Sequence, residues 1–416
     1  MNFDDTPEEA AYRAVARRWI EANRPDQLLQ DFAAAEAIKD REARNARLVE
    51  IARAWQKRKA DAGWACLTWP KDYGGGGATP IQRVIWDQEE GKYSVLTHLF
   101  TISQGMCGPT VMAYASEAQK RHHLPMIASG EEIWCQLFSE PAAGSDLAGL
   151  RTRAEKDGDD WVINGQKIWT TNAQFSDHGI LITRTDQTLP KHKGLTMFFL
   201  DMRSPGIEIR PIKQASGHSG FNEVYFTDVR IPGAQRLGEI NDGWNVSLTT
   251  LMNERFSIGA RLATGVPEFF DFVAQARLPD GSLAIEDKNV RAHLARWAAR
   301  ANGLKYTSYR AISALSRGER PGPENSIGKL VAASMMQDIA TYGLELQGPM
   351  GVAARDDASP AGRLYQMLFS AIGLRIAGGT DEVMRNIIAE RVLGLPGDIR
   401  VDKDVPFNKI PTSGRG

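Results

Sequence analysis

The chain has 416 residues, more than one hydrophobic core usually serves, so two or three structural units are expected. Its 50 basic and 51 acidic residues leave a formal net charge of -1, which excludes a general attraction to nucleic acid or to an anionic membrane and requires any anionic ligand to be held locally. The three cysteines, Cys66, Cys107 and Cys135, form no C-x-x-C pair and sit in apolar stretches, as buried thiols of a reducing compartment do.

The first residues, MNFDDTPEEAAYRAVARRWI, are acidic and amphipathic and lack the charged and apolar regions of a signal peptide. No apolar run reaches the roughly 18 residues that could span a bilayer, so the chain reads as cytoplasmic. Residues 1–130 carry apolar side chains at three- and four-residue spacing, as in YRAVARRWI and VIWDQEEGKY, which predicts a helical domain. It is interrupted at PKDYGGGGATP, whose four glycines lack the preceding strand and the G-x-G-x-x-G spacing of a nucleotide loop and read as a flexible turn.

Over 131–240 the period changes to two, in runs such as HGILITR, GLTMFFLDM, GIEIRPI and FNEVYFTDVRI, which predicts a compact β domain. The helical period returns over 241–397, in segments such as DKNVRAHLARWAARANGLKYTSYRAISAL. The last helix is punctuated by Thr380 as N-cap, by Asp381 and Glu382 in the first turn, and by Gly394 and Pro396 as stops. Residues 398–416 read as an extended tail.

Two common chemistries find no support. His122 and His123 are adjacent, but no H-x-x-x-H, H-E-x-x-H or Cys/His finger spacing occurs, so no metal is expected. There is no G-x-S-x-G, and Ser219 in GHSGFN lacks a strand-to-helix elbow.

The most informative stretch runs from Cys135 to Arg184. Ser139, Gly144 and Ser145 lie in a Pro/Gly-rich loop whose small residues let a flat ligand approach the backbone. Trp169 offers an aromatic face, with the Thr171 hydroxyl two residues on and on the same side of a strand. Together these suit an isoalloxazine ring. Taken singly, Trp169 fits a core position and SEPAAGSD a capped turn.

Four segments, GWACLTWPKDYGGGG, SEPAAGSDLAG, INGQKIWTTN and GGTDEVMRNIIAERVLGLP, stand in the order and spacing of the acyl-CoA dehydrogenase family, which the chain resembles over nearly its whole length. The resemblance implies an α+β, mainly α fold: an N-terminal helical domain, a middle β-barrel-like domain and a C-terminal four-helix bundle. It implies FAD as cofactor, an acyl-CoA thioester as substrate and an electron-transfer flavoprotein as partner. It also implies a homodimer or homotetramer, with a mixed oligomer as the alternative.

Carried over residue by residue, the resemblance has Gln136, Phe138, Ser139, Gly144 and Ser145 lining the flavin. Trp169 lies beside the ring and Thr171 near its N5, while Ser145 also meets pantetheine. Gly379, Thr380 and Glu382 contact FAD near its adenosine part. Arg277 stands where a neighbouring subunit's arginine reaches the pyrophosphate, although ARLPDGSLAIEDK departs from the family's common pattern there.

Many family members place the catalytic glutamate directly before the Gly-Thr of the last motif, where this chain has Gly378. A minority, resembling isovaleryl-CoA dehydrogenase, supplies it from an earlier helix, and Asn253, Glu254 and Arg255 stand at the matching place. Glu254 shares a helical face with Leu251 and Ile258, and burial there would raise its pKa toward that of a general base. By this resemblance Glu254 takes the α-proton, the Gly378 N–H bonds the thioester oxygen, and Asn253 and Arg255 contact substrate. Rival readings are an acyl-CoA oxidase or flavin monooxygenase on the same fold, and a silent flavin- or CoA-binding subunit.

Overall fold

The computed structural model describes residues 5–259, 264–317, 322–323, 326–353, 359–397, 399 and 401–410, without the side chains of 255–259 and 315–316. The chain divides into two compact bodies, one of residues 2–213, 219–254 and 399–416, the other of 214–218 and 255–398.

The first body opens with six helices: α1 (Pro7–Ala22), α2 (Asp26–Glu36), α3 (Arg41–Asp61), α4 (Pro80–Glu90), α5 (Gly108–Tyr114) and α6 (Glu117–Ser129). Their starts follow from local chemistry. Thr6, Thr79 and Ser116 each form a capping box with the Glu or Gln three residues on, and Pro7 and Pro80 supply a preset φ at N1. The helices close on buried Trp55 and Trp86, whose indole N–H groups donate to the Glu90 carboxylate at 3.0 and 2.6 Å, with Lys59 Nζ at 2.7 Å. The four-glycine turn is packed rather than loose: a Cβ on Gly75 would strike the Trp69 carbonyl, so only glycine fits this approach.

One eight-stranded sheet follows, of β1 (Trp134–Leu137), β2 (Arg153–Asp157), β3 (Asp160–Thr171), β4 (His178–Arg184), β5 (Leu195–Asp201), β6 (Ile207–Ile212), β7 (Phe221–Pro232) and β8 (Arg236–Leu237). The order is β6-β7-β3-β2-β4-β5-β8, with β1 joined to β4 in parallel. β4 and β5 are buried almost throughout, so HGILITR and GLTMFFLDM are continuous apolar runs and depart from the period-two alternation expected of them.

Helix α7 (Gly243–Gly259) begins in this body. Val246 is fully buried in the core that β1, β4 and β5 share, and Thr250 and Thr249 meet the hydroxyls of Thr110 and Tyr114 at 2.8 and 3.0 Å. These contacts fix which face of α7 turns inward before Glu254 is reached.

The second body packs α8 (Val266–Val273), α9 (Lys288–Ser316), α10 (Ser326–Glu345) and α11 (Pro360–Ile376), followed by the short α12 (Asp381–Ile387). Phe269, Trp297, Met335, Ile339 and Leu364 form its core. Among the described residues no helix is long and apolar enough to cross a membrane.

Candidate active site

The loop after β1 is held at its base by a buried ion pair. Lys167 of β3 is fully buried and donates to Glu140 Oε1 at 2.8 Å and to the Phe138 carbonyl at 3.0 Å. The same carboxylate accepts the backbone N–H groups of Arg151 at 2.6 Å and Thr152 at 2.9 Å. Burial alone would raise the Glu140 carboxyl, but Lys167 and these donors outweigh it and hold it below the usual carboxylate range. Ile168 N–H donates to the Ser139 carbonyl at 2.8 Å, tying the loop to β3 again. With its base pinned, the loop leaves Gly144, Ser145 and Asp146 exposed at its tip, and a Cβ on Gly144 would meet nothing.

β3 carries Trp169 and Thr171, and here simple strand alternation fails. A register shift between Lys167 and Thr170 interrupts the pairing with β7, and Trp169 adopts φ 60°, the left-handed region that a bulky residue rarely enters. Thr170 turns inward, while Trp169 is 54% exposed and Thr171 half-buried. A large aromatic ring held out on a strained backbone, beside a pinned loop with a small-residue tip, fits a flat aromatic group such as a flavin. Strand alternation alone puts Trp169 and Thr171 on one side, and the bulge overrides it.

Two residues assigned different roles come together in the first body: Gln136 Nε2 of β1 reaches Glu254 Oε2 of α7 at 3.5 Å. Glu254 is partly buried, and Leu251, one turn earlier, packs against the core. Asn253 turns its amide back to the Thr249 carbonyl at 2.9 Å. The Arg255 and Ile258 side chains lie outside the described residues.

The other assigned residues belong to the second body. Gly378 and Gly379 have φ 67° and 103°, a turn that favours glycine. Thr380 caps α12 by accepting Val383 N–H at 3.2 Å, and Glu382 is exposed beside Arg385 at 3.5 Å. The turn is pinned by residues that sequence reasoning missed. Lys329 donates to the carbonyls of Gly379 at 2.6 Å and Arg375 at 3.1 Å, and Arg375 Nε reaches Asp381 Oδ2 at 2.6 Å. Asp381, expected only to complement the helix dipole, is buried. Arg277 is exposed and folds onto its own turn, donating to the Gly281 carbonyl at 2.7 Å.

Cys66, Cys107 and Cys135 are buried free thiols, and burial pushes Cys66 and Cys135 up to about 12, which suits packing rather than nucleophilic attack. His122, His123 and Glu132 bring three potential ligand atoms within 4.8 Å of one another. Glu132 already accepts His123 Nδ1 at 3.0 Å and the Trp134 indole N–H at 2.8 Å.

Three family models cover the chain: "Acyl-CoA dehydrogenase, N-terminal domain" over residues 6–131, "middle domain" over 135–229 and "C-terminal domain" over 241–393. The chain is 36% identical over 395 residues to acyl-CoA dehydrogenase IpdE1 of Mycobacterium tuberculosis, spanning 94% of this chain and 98% of that protein. It is similar to the ChsE4-ChsE5 complex from Mycobacterium tuberculosis, with TM-score 0.76, 30% identity, and coverage of 96% of this chain and 100% of that one. It is also similar to the Tcur3481-Tcur3483 steroid ACAD, with TM-score 0.78, 28% identity and coverage of 96% and 100%.

Proposed function

Since the chain belongs to the acyl-CoA dehydrogenase family, and is thus an FAD-dependent oxidoreductase acting on acyl-CoA, we propose that it desaturates a bulky, ring-bearing acyl-CoA between Cα and Cβ with Glu254 as the base. FAD, when bound, supplies the acceptor for the β-hydride.

The protein's own work is to hold the thioester and move one proton. An α-proton beside a thioester is only weakly acidic, so the carbonyl oxygen needs preorganised donors while the base waits in hydrogen-bond reach. The backbone N–H of Gly378 serves as one donor, a role that needs no side chain. Trp169, Thr171 and the Ser139–Ser145 loop hold the flavin, while Thr380, Glu382 and Gly379 hold its adenosine end. Arg277, if freed from its own turn, offers a permanent cation to phosphate across a subunit contact. The proton passes to a Glu254 carboxylate oxygen, with Asn253 and Arg255 beside it.

The observation that carries this reading is the Gln136–Glu254 approach at 3.5 Å, which brings the α7 carboxylate to the strand that leads into the ligand loop. The ring-bearing substrate class is supported by likeness to the Tcur3481-Tcur3483 steroid ACAD and by the missing side chains at Gly378 and Gly379. Electrons then leave to an electron-transfer flavoprotein in the cytoplasm, where the free thiols stay reduced.

A second reading, a mixed oligomer in which this chain completes or accompanies a related subunit, is favoured by likeness to a complex of two named chains. The test is anaerobic bleaching of the purified protein's flavin absorbance by a panel of ring-bearing and straight-chain acyl-CoAs. Bleaching by ring-bearing thioesters is expected. Preference for straight chains contradicts the substrate class, and rapid reoxidation by air points to an oxidase. Activity that appears only on mixing with a second chain supports the mixed oligomer.

A further inference from the structure

Arg184, the last residue of β4, is 2% exposed, yet its guanidinium has no carboxylate within ion-pair distance among the described residues. It spends its donors on backbone carbonyls instead: Ala148 at 2.5 Å, Leu150 at 3.3 Å and Lys191 at 2.8 Å. Two of these belong to the far side of the 138–150 loop, whose near side is pinned by Lys167 and Glu140. A buried cation also needs compensation on its remaining face. That face is covered by the Phe407 ring, whose centroid lies 3.7 Å from the guanidinium carbon.

Phe407 comes from the C-terminal tail, and the tail is fastened at several points. Phe407 N–H and Asn408 N–H donate to the carbonyls of Leu189 and Gln187 at 2.9 and 3.0 Å, and Pro406 bridges Pro190. Lys191 joins Asp402 of the tail at 2.6 Å to Asp146 of the loop tip at 2.9 Å. Tail and loop therefore share two basic residues, Arg184 from beneath and Lys191 at the rim. Ala143, Leu147 and Leu150 anchor the loop in the core, but its tip, Gly144 to Asp146, is exposed and has little side-chain packing of its own to set its conformation.

We propose that the C-terminal tail, acting through Phe407 on Arg184, is a positioning element that holds the 141–150 loop in its ligand-ready conformation. This inference rests on the reading of that loop as the flavin and thioester loop. The Phe407 ring faces the guanidinium groups of Arg184 at 3.7 Å and, farther off, Arg151 at 5.8 Å, so its influence on the loop runs through Arg184. Without the ring, Arg184 faces water, its carbonyl bonds weaken, and the loop tip carrying Ser145 samples other conformations before ligand arrives.

The test compares wild type with Phe407→Ala, Phe407→Tyr and, as a control on the exposed part of the tail, Asp404→Ala. In full-length protein, Phe407→Ala should speed amide hydrogen exchange over 141–150 while leaving exchange in β4 and β5 unchanged. It should raise KM for the best thioester about tenfold, the size of a lost desolvated cation–π contact, with kcat within about twofold. Phe407→Tyr should restore both readouts, and Asp404→Ala should match wild type.

Unchanged exchange and KM in Phe407→Ala overturn the proposal. Equal losses in kcat and FAD content with faster exchange across the whole sheet also overturn it, because the ring would then only support the fold. If no acyl-CoA reduces wild type while loop exchange still responds to Phe407, the functional reading fails and the tail's role in ligand positioning fails with it. If wild type turns over and Phe407→Ala behaves identically, this inference fails alone.

Discussion

The ligand loop of the first body and the Gly378–Thr380 turn of the second solve one problem with different chemistry. In the proposed reading each offers backbone and small residues to a ligand, and each is held by a buried lysine donating to its carbonyls. In the loop the lysine and its carboxylate are in direct contact at 2.8 Å, and the carboxylate also closes two backbone N–H groups. In the turn the lysine stands 3.7 Å from Asp381, whose closer partner is the half-buried Arg375. Both carboxylates are buried, but the first pin is complete, whereas the second is shared with half-buried Arg375 and leaves Asp381 Oδ1 without a hydrogen bond. A complete buried pair defines one geometry but fails badly when one partner is removed, whereas a shared pin tolerates loss.

Lys167→Met therefore breaks the comparison most strongly. It leaves the Glu140 carboxylate buried without its cation, and a loss of about 3–5 kcal/mol in unfolding free energy is expected by denaturant titration. A loss below about 1 kcal/mol would show that the pair is not what holds the loop. Asp381→Asn should cost less, about 1–3 kcal/mol, because Arg375 keeps Gln337 at 2.8 Å and Lys329 keeps its two carbonyls. A larger loss there than at Lys167 would reverse the ranking of the two pins.

The smallest effect is in pH dependence, where the sign is the test. In wild type the Glu140 carboxyl is held below its unfolded value near 4.5, so its stabilisation is complete above that pH and is lost as pH falls through the lowered folded value. In Lys167→Met burial is no longer outweighed, the folded carboxyl moves above 4.5, and acidification through that range relieves part of the mutant's deficit. The stability difference between the two proteins should narrow from pH 6 to pH 4. A constant difference would mean that losing Lys167 does not move the Glu140 carboxyl into this range.

Much of the architecture could be read from the change from helical spacing to short strand-like runs and back, which survives any detail of packing. YRAVARRWI and HGILITR differ in kind, and the folded elements differ accordingly. The pins could not be read. Lys167 sits inside INGQKIWTTN and Lys329 inside SIGKLVAASMM, and a lysine is ordinarily exposed, so nothing local announces that these two are buried. The bulge that lifts Trp169 to positive φ is likewise invisible to a period-two count. The Gly75 turn has the opposite lesson: it reads as flexible, but the Trp69 carbonyl beneath it makes it tight. Arg184 ends an apolar strand, and nothing in HGILITR marks it as the buried cation that the tail covers.

The central claim is that Glu254 removes the proton, and single-turnover reduction of wild type and Glu254→Gln by the same saturating thioester under anaerobic conditions tests it most directly. The account predicts that the variant keeps its flavin and binds thioester, while its reduction rate falls by at least about 10²-fold, the usual share of a positioned general base. Reduction of the variant at the wild-type rate would contradict it and remove Glu254 from the chemistry.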